Sequence, residues 1–215
     1  MRTVGPLPVP FLRHPRGVLL VTCACFAALA VAAALVGTLP ADTAVRDALL
    51  AAASAPVVAA MRLVNMAGDY RLLLPGSLAL FLLPRARPRW FVWIVLMVAA
   101  SVGPDVLKFI VGRPRPEDLS LGFPSGHATA AAAYFGAVIY LAATLPPRAR
   151  TLVRLGAVGL IVGVGIARVV LRAHWPSDVL GGVAFGLALA ATAALIDSLE
   201  PTPASERAGA APDHP

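Results

Sequence analysis

The sequence predicts an all-α protein, a six-span transmembrane helical bundle with interfacial helices between spans 1 and 2. Of its 215 residues, 59% are hydrophobic and 13% are charged, and the mean hydropathy is +0.80. These values lie outside the range of soluble globular domains. Apolar runs alternate with short arginine-rich segments, which is typical of multi-span membrane proteins. We divide the chain into a cytoplasmic tail (1–16), a six-span domain (17–199) and a disordered C-terminal tail (200–215).

The formal net charge of +7 could indicate a nucleic-acid-binding protein. The basic residues, however, fall in short segments between the apolar runs. That distribution indicates membrane topology and contact with anionic lipids rather than a face for DNA. We therefore expect membrane lipids as partners, no nucleic acid, and no obligate protein partner.

The first span is the charge-free apolar run from Gly17 to Gly37, which follows an arginine- and proline-containing tail. Small residues near its end resemble a signal-peptidase site, so a cleaved signal is the alternative, although the run is long for a signal peptide. Residues 38–67 predict amphipathic helices on the outer interface, with Pro56 marking a break between them.

The second span is the least regular of the six. Leu72–Leu83 has only twelve residues, is interrupted by Pro75 and Gly76, and needs Met66–Arg71 to complete a crossing. By length alone this segment could also be re-entrant. The arginine-rich loop 85–89 that follows marks the cytoplasmic side.

The remaining apolar runs predict four more spans: Trp90–Val111, Gly126–Leu145, Leu155–Leu171 and Val179–Leu199. A second basic loop, 148–154, separates the fourth and fifth spans. Under a six-span count both basic loops and both termini are cytoplasmic in the plasma membrane. The external face then contains three polar segments: Lys108, the 112–127 loop and residues 168–178. Their placement on one face depends only on spans three to six.

A helix start on that external face predicts an anion site. Ser125 can cap a helix, and Gly126 lets a ligand approach the free N–H groups at the positive end of the helix dipole. Positive charge from separate spans converges there, supplied by Lys108, Arg115 and Arg168, with Arg113 and Arg172 as further candidates. Phosphate fits best, because arginine matches its oxygens bidentately. The alternative for any one arginine is interfacial snorkelling, with Trp175 as an aromatic-belt residue.

Two histidines beside a phosphate site suggest a division of roles. His174 is the better nucleophile, because Asp178, one helical turn along, can receive its Nδ1–H and leave Nε2 free. His127, in the first turn of its helix, is the better general acid. The sequence has no cluster of Asp, Glu or Cys to hold a metal, so we expect no cofactor and assign transition-state stabilisation to the arginines.

The three polar segments resemble the signature of the type-2 phosphatidic acid phosphatase superfamily, K-x6-R-P, P-S-G-H and S-R-x5-H-x3-D. Lys108–Pro116, Pro124–His127 and Arg168–Asp178 match it in every spacing, and Ala167 replaces the serine. The resemblance implies that Lys108, Arg115 and Arg168 bind phosphate with Ser125 and Gly126. It also implies that His174 forms a phosphohistidine oriented by Asp178, and that His127 acts as acid and then activates water. The loss of a hydroxyl at Ala167 predicts weaker phosphate binding, and six spans argue against the family's soluble vanadium haloperoxidases.

The sequence and the resemblance together predict a metal-independent phosphatase acting on a lipid phosphate or pyrophosphate at the outer leaflet. Undecaprenyl pyrophosphate, phosphatidylglycerophosphate and phosphatidic acid are the candidate substrates. Two alternatives stay open. One is a lipid phosphotransferase, in which a lipid hydroxyl rather than water resolves the phosphohistidine. The other is a non-enzymatic lipid-binding or transport protein, although the chain shows no inverted repeat.

Overall fold

The computed structural model describes residues 15–199, and within them the regular secondary structure is helical, with one isolated β-bridge between Pro114 and Leu121. The N-terminal tail up to residue 14 and the tail 200–215 lie outside the described residues. Between residues 15 and 199, three short 3-10 segments, Ser77–Leu82, Pro84–Ala86 and Ala142–Thr144, accompany eight α-helices. These are α1 (Pro15–Val36), α2 (Pro40–Ala51), α3 (Ala55–Met66), α4 (Tyr70–Gly76), α5 (Trp90–Val111), α6 (Gly126–Leu141), α7 (Pro147–Val170) and α8 (Pro176–Ser198).

Five helices of the described part of the chain are long and apolar enough to cross a bilayer: α1, α5, α6 with its 3-10 extension, α7 and α8. They match predicted spans one and three to six, so the chain is a multi-pass membrane protein. One boundary prediction was wrong. Arg148, Arg150 and Arg154 do not form a loop, because α7 begins at Pro147 and carries them within its first eight residues. Proline at the start of α7 presets the helical backbone, so the helix begins before its apolar part.

The predicted interfacial region forms two helices, α2 and α3, which meet at a bend of 117°. Asp42 near the start of α2 bonds to Ser177 at the start of α8, and Asn65 near the end of α3 bonds to Arg168 at the end of α7. Both contacts lie at the end of the bundle where α7 ends and α8 begins. The pair therefore returns to the end it started from and does not cross the bundle.

The predicted second span is a composite of α4 and the two 3-10 segments after it. Tyr70 lies at the same end of the bundle as Arg168, whereas Leu80 and Ala86 pack with Trp93 and Leu141 at the opposite end. At the usual rise per residue, α4 and the 3-10 segments extend roughly 28 Å, close to the ~30 Å of a hydrocarbon core. The larger rise of a 3-10 helix brings this short segment close to the length that a crossing needs.

Helices α6 and α8 pack most closely, because α8 presents glycine to the backbone of α6. A Cβ at Gly186 would lie 2.3 Å from the backbone oxygen of Thr129, and one at Gly182 would lie 2.5 Å from that of Ser125. Buried alanines line the α6 side of this contact. The close approach fixes the start of α6 against the start of α8, where two of the predicted polar segments lie.

Candidate active site

A polar cavity of about 320 Å³ lies at the end of the bundle where α5 and α7 end and α6 and α8 begin. Six of the eight predicted site residues line it: Lys108, Arg115, Gly126, His127, Arg168 and His174. Its other lining residues are Tyr70, Ala100, Ser101, Pro104 and Asp105. The three motifs, separated by up to seventy residues in the sequence, therefore contribute to a single site.

Three cations enter the cavity from three different elements. Lys108 lies in the last turn of α5 and bonds to Asp105 at 2.7 Å. Arg168 lies in the last turn of α7, where its Nη1 donates to Oδ1 of Asn65 at 3.0 Å. Arg115 comes from the loop between α5 and α6. All three cations are partly buried. Solvent and salt therefore screen their attraction for an anion less than they would on an open surface.

Both arginines among these cations have a buried N–H donor without a hydrogen-bond partner in the described chain. Among the described residues, the Nε groups of Arg115 and Arg168 are buried and have no hydrogen-bond partner. Leaving such a donor unsatisfied costs about 1–3 kcal/mol. A ligand with several acceptor oxygens, such as a phosphate group, would satisfy both donors at once.

His174 lies in the turn between α7 and α8 and is only 2% exposed. Burial lowers the pKa of its imidazole, and the neighbouring Asp178 opposes that shift. His174 Nδ1 lies 3.4 Å from Asp178 Oδ2, longer than a typical N–H···O hydrogen bond. Catalytic hydrogen bonds are often long without substrate and shorten when the reaction charges the imidazole. With Nδ1 directed at the carboxylate, Nε2 is the nitrogen available for attack.

Asp178 does not line the cavity and is held from behind. Its Oδ2 accepts from the backbone N–H of Trp175, the N-cap residue of α8, at 3.0 Å, and its Oδ1 accepts from Arg113 Nη1 at 2.9 Å. Arg113 was a candidate for phosphate binding on sequence grounds. The structure instead buries it against Asp178 and directs it away from the cavity.

The start of α6 is organised as predicted in its backbone but not in the Ser125 side chain. Gly126 and His127 line the cavity, where the first N–H groups of a helix attract anions. Ser125 is fully buried, its hydroxyl has no hydrogen-bond partner in the described chain, and its N–H donates to the backbone oxygen of Asp178 at 3.0 Å. Ser125 therefore ties α6 to α8, and its side chain is not on the cavity wall.

The loop between α5 and α6 folds back on itself and supports the site. It leaves α5 through Gly112, whose φ of +71° suits glycine, and bonds connect Arg115 N to Ser120 O and Gly122 N to Arg113 O. A Cβ on Gly122 would lie 2.8 Å from Asp178 Oδ2. The loop backbone thus passes directly over the carboxylate.

Two positions that stood out in the third motif lie away from the cavity wall. Arg172, at φ +59°, is exposed and pairs with Glu117 at 3.0 Å. Ala167 is fully buried in α7. Neither residue lines the cavity in the described chain.

Sequence reasoning missed four residues around the site, contributed by the segment between α1 and α4. Asn65 orients Arg168, Asp69 interacts electrostatically with both His127 and Arg168, and Tyr70 lines the cavity. Asp42 is buried against Arg113. The only available signal was that Asn65 is the sole asparagine of the sequence. Within residues 15–199, no three His, Cys, Asp or Glu side chains group as a metal site.

A sequence profile of the PAP2 superfamily matches residues 89–199, just over half of the chain. The chain belongs to the PAP2 superfamily. The match contains all three motifs, so the family predicted from their spacing is confirmed.

Several characterised proteins resemble this PAP2 protein. A lipid A 1-phosphatase of Rhizobium johnstonii is 31% identical over 167 residues, covering 62% of this chain and 65% of that protein. Phosphatidylglycerophosphatase B of Bacillus subtilis is 36% identical over 111 residues, covering 45% and 55%. The chain thus spans less than two thirds of either relative. A decaprenylphosphoryl-5-phosphoribose phosphatase of Mycobacterium tuberculosis is 34% identical over 138 residues, covering 60% of this PAP2 protein and 69% of the relative.

The fold is also found in a solved structure. A transmembrane PAP2-type phosphatidylglycerolphosphate phosphatase from Bacillus subtilis superposes with a TM-score of 0.72 at 27% identity. The superposition covers 83% of this PAP2 protein and 95% of the other chain. The predicted all-helical membrane fold is confirmed.

Proposed function

We propose that this PAP2 protein is a metal-independent phosphatase that hydrolyses a lipid phosphate or pyrophosphate through a phosphohistidine intermediate. The observation that carries the proposal is the cavity itself, in which two histidines face three cations, two of them with unsatisfied buried donors. The names of the relatives, which act on lipid A, phosphatidylglycerophosphate and decaprenylphosphoryl phosphoribose, support a lipid-linked phosphate as substrate.

In the first step, Nε2 of His174 attacks phosphorus and forms a P–N bond as the P–O bond to the lipid breaks. His127, protonated, donates its proton to the departing lipid oxygen. Lys108, Arg115 and Arg168, with the N–H groups at the start of α6, neutralise the charge that gathers on the phosphoryl oxygens. Asp178 stabilises the positive charge that develops on the imidazole of His174.

In the second step, water attacks the phosphohistidine and its proton passes to His127, now neutral. The P–N bond breaks, inorganic phosphate is released, and both histidines return to their starting states. A cavity of about 320 Å³ is at the lower end of the range for ligand pockets, so it fits a head group rather than a whole lipid. The hydrocarbon chain would therefore remain in the bilayer beside the bundle.

We place the cavity on the extracytoplasmic side of the plasma membrane, with both termini cytoplasmic. The arginine-rich segments support this orientation, because Arg85, Arg148 and Arg150 lie at the opposite end of the bundle from the cavity. Labelling of single cysteines in intact cells tests it, after Cys23 and Cys25 are replaced. The Leu119→Cys variant should react with an impermeant reagent and the Arg150→Cys variant should not; the reverse pattern contradicts the orientation.

Released phosphate from a panel of lipids tests the function. Purified protein in mixed micelles is given undecaprenyl pyrophosphate, phosphatidylglycerophosphate and phosphatidic acid, with and without EDTA. We expect release from at least one lipid and the same rate in EDTA. A strict magnesium requirement would contradict the metal-independent mechanism, and a phosphorylated acceptor lipid without free phosphate would show transfer instead of hydrolysis.

A further inference from the structure

A buried chain of charges runs behind the cavity, from α2 to the proposed nucleophile. Arg113 is 3% exposed, and its Nη1 donates to Ser177 Oγ at 2.6 Å and to Asp178 Oδ1 at 2.9 Å. Its Nη2 donates to Asp42 Oδ2 at 2.5 Å. Asp178 in turn faces His174. The contacts therefore connect Asp42 to Arg113, Arg113 to Asp178, and Asp178 to His174.

Asp42 is held as firmly as the arginine it pairs with. It is 2% exposed and accepts from Ser177 N at 2.9 Å, from Ser177 Oγ at 2.7 Å and from Leu39 N at 3.1 Å. Two carboxylates and one guanidinium give the buried group a net charge of −1. Without Asp42, the Arg113–Asp178 pair beside the imidazole would carry no net charge.

Stability alone does not account for such a group. Well-packed apolar residues often replace a buried ion network with no loss of stability, or with a gain. The network contacts Asp178, the carboxylate that orients the nucleophile. The two oxygens of that carboxylate have different partners. Oδ1 is bound by Arg113, which turns Oδ2 toward the imidazole.

We propose that Arg113 and Asp42 are positioning residues for His174. Arg113 fixes the orientation of Asp178, and Asp42 offsets the charge of Arg113 so that Asp178 presents a net negative charge to the imidazole. This inference rests on the proposed phosphohistidine mechanism and adds two residues to it, one of them from the first turn of α2.

Opposite charge changes at the two positions test the inference. Five charged or titratable groups interact electrostatically with His174: Asp178, Arg168, Arg115, Asp118 and His127. Lys108, Asp105 and Tyr70 line the same cavity, and none of these eight groups is altered. Asp42→Asn removes a negative charge and should move the acid limb of the kcat/KM profile to lower pH. Arg113→Gln removes a positive charge and should move it to higher pH, in each case by about half a unit.

The same variants should lower kcat about tenfold and leave KM within about twofold, because the phosphate-binding cations are untouched. Arg113→Lys keeps the positive charge but loses the two guanidinium nitrogens that bind Asp178 and Asp42 separately. The acid limb of this variant should therefore stay at the wild-type pH while its kcat falls. Asp197→Asn is the matched control. Asp197 bonds to Arg85 and Tyr140 at the other end of the bundle, and its loss should change neither kcat nor the pH profile.

Shifts of the acid limb in the same direction, or none in Asp42→Asn, would overturn the inference. If Arg113→Gln does not fold, Asp42→Asn and Arg113→Lys still decide it. Wild-type kinetics in both of these would also overturn it. The proposed function fails separately, if His174→Ala retains activity. An active wild type, an inactive His174→Ala and unaltered Asp42→Asn and Arg113→Lys would refute this inference alone.

Discussion

Replacing Gly122 with alanine would disturb the orienting carboxylate without replacing any residue that contacts substrate. The added Cβ would lie 2.8 Å from Asp178 Oδ2, and ordinary van der Waals contact begins at 3.4 Å, so about 0.6 Å of movement is required. Asp178 resists that movement, because Arg113 and the backbone N–H of Trp175 both bind it. A misplacement of 1 Å in an active site costs about 100-fold, so this shift should lower kcat about tenfold.

The assay is steady-state release of phosphate in mixed micelles, with the best substrate from the lipid panel. We expect KM to stay within about twofold, since the added Cβ would meet Arg115 only at its Cγ and at 3.4 Å, an ordinary van der Waals contact that leaves the guanidinium in place. Gly156→Ala is the matched control, because a Cβ there meets nothing within 4 Å. Wild-type kcat in a folded Gly122→Ala variant would refute the idea that the precise position of Asp178 limits the reaction.

Three further predictions concern pH, phosphate binding and packing. Burial lowers the pKa of His174, so loss of kcat/KM through its protonation should begin only below the ordinary value of about 6.5, and a limb above that value would contradict the assignment. Asn65→Ala removes a 3.0 Å hydrogen bond from Arg168 and should lower kcat/KM about tenfold, measured by the same phosphate release; an unchanged value would show that Asn65 does not position the guanidinium. Gly186→Val should destabilise the bundle by about 3 kcal/mol, because its Cβ would lie 2.3 Å from a backbone oxygen. Gly159→Val, with open space around it, should leave thermal unfolding unchanged, and equal stability of the two variants would contradict the packing of α6 on α8.

The composition of the cavity followed from the sequence because its chemistry is local. Lys108, His127 and His174 each lie at the end of an apolar run, and the alternation of spans is sufficient to place those ends together. The same reasoning predicted the spans, since a run of apolar residues long enough to cross a bilayer has few other uses.

The supporting contacts did not follow, because they join residues far apart in the chain. Asp42 and Ser177 are 135 residues apart, and Asn65 and Arg168 are 103 apart, so no spacing rule connects them. Arg113 illustrates the difficulty. It stands two residues before Arg115 in the same motif, yet Arg115 lines the cavity whereas Arg113 binds Asp178. The conformation of the loop between α5 and α6 determines this difference.

Trapping of the covalent intermediate tests the central claim most directly. The enzyme is mixed with a lipid carrying radiolabelled phosphate, quenched in alkali within one turnover, and digested for peptide mapping. The mechanism predicts an acid-labile, alkali-stable label on the peptide that contains His174, and no label in His174→Ala. Label on another residue, or steady phosphate release by His174→Ala, would contradict the mechanism.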